Sequence, residues 1–480
     1  MLARISTDSI EKESLLQRAF QIRLRLTEEF PRNPEHWEEL VRAHSNLNRL
    51  LTAVGRAHEA ESLADDLADA HERYLNIIGE RLVPGVPDFA DGDSPTGPES
   101  SEQADLVEAY VTRADELRKA GNPLRALPVY VEAADMIYQS LIESPDDPSL
   151  QRSLALISYC RSTALLDLDR TAEALEHSTA AIDQLTALTT KVPNVEVHWL
   201  RLIGCWKHRA LILLQRQQTD DAWEATVKSL QFSREVTVRF PEQDSRRIDL
   251  ANALKNAADT AGDAGKVAVA DELLTEGTDV CRRLLESSPN RRSWRKILAR
   301  LLLDRGALRC GIGDCEQGFS DLRNAVVMAE SLLQEKSLYE PAWCHAANDL
   351  AWQLLVCSDE SFRNPTEAFR LAQQVVQRRP ADDDYQNTLG VAQYRLNQLK
   401  EARQTLDQAV LLNGGDALDY YALAMVHWKR NEPQKASKYM DLAAIWCREH
   451  ESSDEGLIIL REEAEQLLKE MPATGSTPAE

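Results

Sequence analysis

The chain has 480 residues, with 78 acidic and 55 basic side chains and a formal net charge of −23. So large an excess of negative charge repels nucleic acid and anionic membrane surfaces, and we expect neither as a partner. No segment has the long apolar run of a membrane span or the apolar core of a secretory signal, which predicts a cytoplasmic protein.

The N-terminal part of the chain, up to Ser101, predicts helices followed by a loop. Residues 1–83 carry apolar side chains at helical spacing, for example Ala60, Leu63, Ala64 and Leu67. Residues 84–101 read PGVPDFADGDSPTGPESS, with prolines, glycines and acids but no basic residue. Such a composition buries too little apolar surface to offset the cost of ordering. We predict an acidic disordered loop inserted between N-terminal repeat-like helices and the rest of the array.

Residues 102–340 follow a 48-residue repeat, which we call the long period. Prolines recur at this interval and mark the ends of helical hairpins, because proline disfavours helix in the residue before it. These prolines are Pro145, Pro193, Pro241 and Pro289. Small residues recur in phase at two further slots, occupied by Ala126, Ala174, Ala222, Ala270 and Gly318 and by Ala114, Ser162, Ala210, Ala258 and Gly306. We predict hairpins of long helices that approach closely at these small residues.

Residues 341–450 follow a 34-residue repeat, which we call the short period. After one irregular unit, Ala402 and Ala436 lie one short period apart, in corresponding positions of two helical hairpins. Residues 451–470 predict a helix with charges on its outer side, as expected of a terminal cap. Residues 471–480 are predicted to be a disordered tail.

The 34-residue units resemble tetratricopeptide repeats. Leu389, Gly390, Ala402, Leu406 and Ala409 occupy the slots of the leucine-glycine pair and the alanine, large apolar and alanine positions of that repeat. The 48-residue units look like a longer-helix variant. The resemblance implies an all-α fold, an α-solenoid wound as a right-handed superhelix of helical hairpins. Residues 341–450 also look like the arrays that follow serine/threonine kinase domains in large bacterial signalling proteins.

No catalytic motif accompanies the repeats. The sequence lacks the glycine-rich loop, His-Arg-Asp and Asp-Phe-Gly triplets of kinases and the Gly-x-Ser-x-Gly turn of hydrolases. We therefore predict no enzyme, no catalytic residue, no cofactor and no metal. His198, Cys205 and His208 share one predicted helix, but packing beside Trp199 and Trp206 is favoured over a metal site. An enzyme with its site between helices is a further alternative, which would require a pocket of convergent titratable groups.

Four arginines share one repeat slot, where the short repeat has a packing leucine. They are Arg113, Arg161, Arg209 and Arg305. Each aliphatic stem could cross the hairpin seam and bring its guanidinium to a nearby acid or carbonyl, and this interpretation is favoured. The alternative is a cationic ladder that binds carboxylates of a partner.

A second set of polar residues is predicted to bind a partner. Lys207 and Lys255 share a slot on first helices, which generally line the groove of such arrays, and Asn256 follows. Arg292, Lys296 and Arg300 recur at every fourth position, on one face of a helix. Lys207, Asn256 and Arg300 fall on three of five polar slots of the carboxylate clamp known from some tetratricopeptide repeat domains, whereas Leu211 and Asp304 do not match it. We favour a looser groove for an acidic or amphipathic segment, with ordinary solvated charge as the alternative.

The sequence thus predicts a non-catalytic scaffold that binds a protein or peptide in the groove of a helical array. The alternative function is the regulatory or sensory part of a bacterial serine/threonine kinase signalling system that lacks the kinase domain.

Overall fold

A computed structural model of the chain describes residues 16–27, 102–119, 121–450 and 455–469. It also describes isolated positions between these ranges, namely Leu40, Ala43, Leu47, Leu51, Arg56, Glu59 and Asp66. The predicted acidic loop at 84–101, the tail at 471–480 and most of the N-terminal helices within 1–83 lie outside the described residues. The domain boundaries stay predictions.

The described part of the chain is all-helical, with no strand, so the predicted fold class is confirmed. The chain divides into two compact units, Met1–Trp294 and Arg295–Glu480. In each hairpin we call the helix that comes first in the chain the first helix and the other the second helix.

The first unit contains long hairpins, and a segment at 16–27 is also helical. Its helices are α1 (Glu102–Lys119), α2 (Pro123–Glu143), α3 (Pro148–Asp167), α4 (Thr171–Lys191), α5 (Glu196–Gln215), α6 (Thr219–Arg239), α7 (Asp244–Asp263) and α8 (Val267–Ser287). Consecutive helices from α1 to α8 pack against one another. The first helices α3, α5 and α7 begin one long period apart, as the sequence predicts. Pro145, Pro193 and Pro241 all lie in the loops between hairpins.

The second unit changes from the long to the short repeat. Its helices are α9 (Arg292–Gly311), α10 (Cys315–Glu335), α11 (Glu340–Val356), α12 (Pro365–Arg378), α13 (Asp383–Arg395), α14 (Leu399–Asn413), α15 (Ala417–Lys429), α16 (Pro433–Glu449) and α17 (Glu455–Lys469). The first three residues of α9 belong to the first unit. Short 3₁₀ turns at Ser337–Tyr339 and Glu360–Phe362 flank α11. The second helices α12, α14 and α16 begin one short period apart.

Small residues lie where the two helices of a hairpin touch. The alanines of both predicted slots are buried, and in α3 the hydroxyl of Ser162 donates a hydrogen bond to the carbonyl of Ala174 in α4 at 2.6 Å. Gly306 and Gly318 meet in the same way, because a Cβ atom added to Gly318 would lie 2.8 Å from the carbonyl oxygen of Gly306. The small residues therefore set the distance between helices within each hairpin.

Each turn between a first and a second helix of the long hairpins contains one residue with a left-handed backbone. The residues that occupy this place, each one long period after the last, are Gly121, Asp169, Gln217, Gly265 and Gly313. Asn397 and Asn431 do the same in the short repeats. Glycine adopts this conformation readily, whereas other residues do so at a cost. The repeats thus share the turn geometry although the residue type differs.

Candidate functional site

Several successive first helices are in direct contact within each unit. In the first unit α1 contacts α3 and α3 contacts α5, and in the second unit α11 contacts α13 and α13 contacts α15. Successive second helices among the described residues make no contact as extensive. Residues that point away from the hairpin seam on first helices therefore lie on the inner side of each stack.

The predicted lysine slot lies on α5 and α7. Lys207 and Lys255 are both half-buried, and Asn256 is exposed. Burial lowers the pKa of Lys207, and the carboxylate of Asp249 on α7 opposes this shift. Lys255 has a partner on its own helix, with Nζ 2.7 Å from Oδ2 of Asp259. Both lysines thus lie among carboxylates of the same chain.

An ion-pair network links the same two helices. Arg246 on α7 donates through Nε to Oε1 of Glu196 on α5 at 2.5 Å and through Nη1 to Oδ2 of Asp249 at 2.9 Å. Gln243 donates to the other oxygen of Glu196 at 3.1 Å. The surface around Lys207 and Lys255 is therefore mixed in charge and not uniformly cationic.

The basic residues at the start of α9 differ in environment. Arg292 is 7% exposed, and its Nη2 lies 2.9 Å from Oδ1 of Asp66. Its charge is therefore engaged within the first unit. Lys296 is half-buried and Arg300 is exposed. Arg300 is thus the more accessible of these two, and a partner-binding role for the predicted residues stays a prediction.

The four arginines of the shared slot do not have one common surrounding. Arg113 is exposed, Arg161 and Arg209 are half-buried, and Arg305 is buried. Arg209 donates through Nη1 to the hydroxyl of Thr179 on α4 at 2.7 Å. Arg305 donates through Nε and Nη2 to the two carboxylate oxygens of Asp321 on α10, at 2.7 and 2.8 Å. For Arg305 the geometry matches the interpretation in which the side chain crosses the hairpin seam to an acid.

The histidines and cysteine of α5 are packed in the interior. Nε2 of His208 lies 2.9 Å from the hydroxyl of Ser162, and its ring packs on Tyr159 at 5.1 Å between centroids. Burial lowers the pKa of His198 and of His208 to about 4 and raises the pKa of Cys205 to about 12. Among the described residues, no group of three or more His, Cys, Asp or Glu side chains is placed to hold a metal ion.

Several carboxylates lie close together on the first helices of the second unit. The pKa of Asp349 on α11 is raised to about 6, mainly by burial and to a smaller extent by the charges of Asp304 and Asp384. His345 opposes this shift, with Nε2 3.5 Å from Oδ2 of Asp349. The sequence prediction emphasised cations and missed this acidic group, which the positions of Asp304 and Asp349 alone do not indicate.

Two arginines of the second unit hold one glutamate of the last helix. Glu463 on α17 accepts from Nη1 of Arg363 at 2.8 Å and lies 2.6 Å from Nη1 of Arg395, the last residue of α13. None of these three residues was predicted as part of a site. The available signal was the position of Glu463 between Leu460 and Ala464, since this places a charge beside the apolar side of the helix.

None of the described helices is both long and apolar enough to cross a membrane.

Comparison with known proteins identifies the short repeats. Residues 362–426 match the tetratricopeptide repeat family. None of the curated proteins compared with the sequence matches it.

Several solved structures are similar to the chain. A tetratricopeptide repeat protein from Parabacteroides merdae is 11% identical, covers 65% of this chain and 98% of its own length, and superposes with a TM-score of 0.39. Yeast Tom70 is 14% identical over 96% of this chain and 88% of its own, with a TM-score of 0.35. PilF of Pseudomonas aeruginosa is 16% identical over 55% and 96%, respectively, with a TM-score of 0.35.

The family match coincides with the helices α12 to α15, whose second helices recur at the short period. The resemblance to tetratricopeptide repeats is therefore confirmed for residues 362–426, within a chain whose described residues are all-helical. The likeness to kinase-associated arrays stays a prediction.

Proposed function

We propose that the chain is a non-catalytic scaffold that binds a protein or peptide segment on the inner side of its stacked first helices. The observation that carries the proposal is the direct contact between successive first helices, α1 with α3 and α3 with α5. Stacked hairpins of this kind form an extended surface, and such surfaces suit extended or helical peptides.

The favoured partner is a segment that carries carboxylates beside apolar residues. Lys207 lies on the inner side with its side chain half-buried, and no acid among the described residues pairs with it within 4 Å, although Asp249 acts on it at longer range. A partner carboxylate would gain a charge-assisted hydrogen bond there and would oppose the effect of burial on the lysine. Lys255 is half-buried and lies 2.7 Å from Asp259, so it contributes positive charge on the next first helix without leaving that partner.

A charge-matched pair of variants tests the surface. The full-length Lys207→Glu/Lys255→Glu variant and a control, Lys191→Glu/Lys228→Glu, change the net charge equally, but the control alters the second helices α4 and α6. Proteins captured from cell extract are quantified by crosslinking and mass spectrometry, and helicity is checked by circular dichroism. We expect the amount of partner protein captured by the first variant to fall at least tenfold and the amount captured by the control to stay unchanged. Equal capture by both folded variants would refute the surface.

A further inference from the structure

The last helix does not continue the stack beyond α16. Helix α17 packs most extensively against the first helix α15 and also contacts the first helix α11, which comes much earlier in the chain. A cap that only extended the array would meet the final hairpin alone. Helix α17 instead runs along the first helices of the second unit, where a peptide ligand of a helical repeat would lie.

The side of α17 that faces these helices is apolar. Leu457, Leu460 and Ala464 are 7%, 0% and 0% exposed, at the i, i+3 and i+7 spacing of one helix face. Gly456 sits directly against the indole of Trp352 on α11, because a Cβ atom there would lie 2.7 Å from the ring nitrogen. The opposite side, with Arg461 and Glu462, is exposed. Helix α17 is thus an amphipathic helix seated on its apolar face.

A carboxylate fixes the position of this helix. Glu463 accepts hydrogen bonds from Arg363 and Arg395 at 2.8 and 2.9 Å, and all three side chains are at most 24% exposed. Charge-assisted hydrogen bonds of this kind are stronger than neutral ones and depend on geometry. The carboxylate therefore selects one register of α17 along the groove.

The two arginines are held in place by groups outside α17. Arg363 donates through Nε to the carbonyl of Cys357 at 2.7 Å, and Arg395 donates through Nη2 to the carbonyl of Leu355 at 3.3 Å. Both carbonyls lie at the C-terminal end of α11. Contacts outside α17 therefore help to orient both guanidinium groups, and such preorganisation favours the binding of a carboxylate.

We propose that the inner surface of α11, α13 and α15 is a binding site for an amphipathic helix of a partner protein, and that α17 is its internal occupant. The partner helix would carry the pattern of α17: leucine, leucine three positions later, glutamate three positions after that, and a small residue next to the glutamate. This inference rests on the proposed scaffold function and gives it a specific ligand in the second unit.

The internal helix regulates access to this site. Only residues 450–454 separate α16 from α17, so α17 is present at a high effective concentration. A short tether typically gives an effective concentration in the millimolar range. A free ligand with the same intrinsic affinity, present at micromolar concentration, therefore cannot displace α17. Partner binding therefore requires either a tighter ligand or release of α17.

A labelled peptide with the sequence of residues 452–470 tests the site by fluorescence anisotropy on the full-length chain. The Leu460→Glu/Glu463→Lys variant removes one apolar contact and reverses the charge of α17, while the receptor surface is unchanged. We expect this variant to bind the peptide, and the wild type to bind it roughly 100-fold more weakly because α17 competes. The Glu462→Lys variant, which reverses an exposed charge on the same helix, should behave as the wild type.

Two further variants make the outcome specific. Arg395→Glu, added to the variant with released α17, should abolish binding of the wild-type peptide, and a peptide with Glu463→Arg should restore it. The proposal is overturned if the Leu460→Glu/Glu463→Lys variant keeps its helicity but does not bind the peptide. It is overturned as well if Arg395→Glu leaves peptide binding unchanged. It is also overturned if wild-type chains dimerise by exchanging α17, since the occupant would then be a second copy.

Failure here is distinguishable from failure of the scaffold function. The peptide test addresses the second unit only, whereas the Lys207→Glu/Lys255→Glu variant addresses the first.

Discussion

Arg305 and Asp321 form a two-point ion pair in the interior of the α9–α10 hairpin, with both side chains at most 7% exposed. Arg309 also approaches the same carboxylate, at 3.4 Å. Arg305 occupies the slot in which the short repeat has a leucine. A buried pair of this kind stabilises little relative to apolar residues, but removal of one partner leaves a charge without its counter-ion.

We therefore expect Asp321→Ala to destabilise the second unit by about 3–5 kcal/mol. The double variant Arg305→Leu/Asp321→Ala should recover part of this loss, because it removes the buried Arg305 charge and restores the leucine of the short repeat, while Arg309 still loses its carboxylate. Thermal unfolding followed by circular dichroism measures both. A double variant as unstable as Asp321→Ala would show that the ion pair is not what Arg305 contributes.

The contact between Gly306 and Gly318 leaves no room for a methyl group. A Cβ atom at Gly318 would lie 2.6 Å from Sγ and 2.9 Å from the backbone nitrogen of Cys310. Because backbone atoms cannot move aside cheaply, we expect Gly318→Ala to cost about 1–3 kcal/mol of stability.

The control is Gly262→Ala in α7, where nothing among the described residues lies within 4 Å of the added atom. Alanine is the better helix former by at most about 1 kcal/mol, so this variant should be neutral or slightly more stable. The unfolding midpoint should fall for Gly318→Ala and should stay the same or rise for Gly262→Ala. Equal shifts would mean that helix propensity, and not the close approach of two helices, decides the outcome.

The hairpin array could be predicted from the sequence because it depends on a pattern repeated many times. The alanines of each slot, such as Ala174 and Ala222, are buried in every repeat, so their recurrence in the sequence indicates where the two helices of a hairpin pack together. The position of α17 could not be predicted in this way. It depends on single contacts, of Glu463 with Arg395 and of Gly456 with Trp352, and a contact made once leaves no period in the sequence.

The individual roles of repeated residues were also beyond prediction. Arg113 and Arg305 share a slot, but one is exposed and the other is buried. The difference follows from Asp321, because a buried arginine requires a carboxylate in reach.

The left-handed residue in the turns offers a test of repeat equivalence. Gln217 has φ of 58° and an exposed side chain, whereas Gly265 occupies the same position in the next 48-residue repeat. A non-glycine residue in this conformation costs roughly 1–2 kcal/mol, and glycine loses part of that gain through its greater freedom in the unfolded chain.

We expect Gln217→Gly to stabilise the chain by about 0.5–1 kcal/mol and Gly265→Ala to destabilise it by a similar amount. The shifts of the unfolding midpoint in urea give both values. A loss of stability on Gln217→Gly would show that the side chain of Gln217 contributes more than its backbone conformation costs.

The half-buried carboxyl of Asp349 predicts how the stability of the chain depends on pH. Its pKa is raised to about 6 in the folded chain, mainly by burial, from an ordinary value near 3.8. Between these two values the folded state binds more protons than the unfolded state, so the contribution of this group to stability falls as pH rises from about 4 to about 6. Above pH 6 the folded chain holds a carboxylate that burial disfavours.

Asp349→Asn removes this ionisation and retains the size of the side chain. The variant should therefore unfold at a higher temperature than the wild type at about pH 7.5, and the difference should shrink as pH is lowered toward about 4, where the folded wild type holds a protonated carboxyl. Melting temperatures of the two proteins across this range measure the effect. A difference that stayed constant with pH would mean that lost contacts of Asp349, such as that with His345, and not its ionisation, determine the stability of the variant.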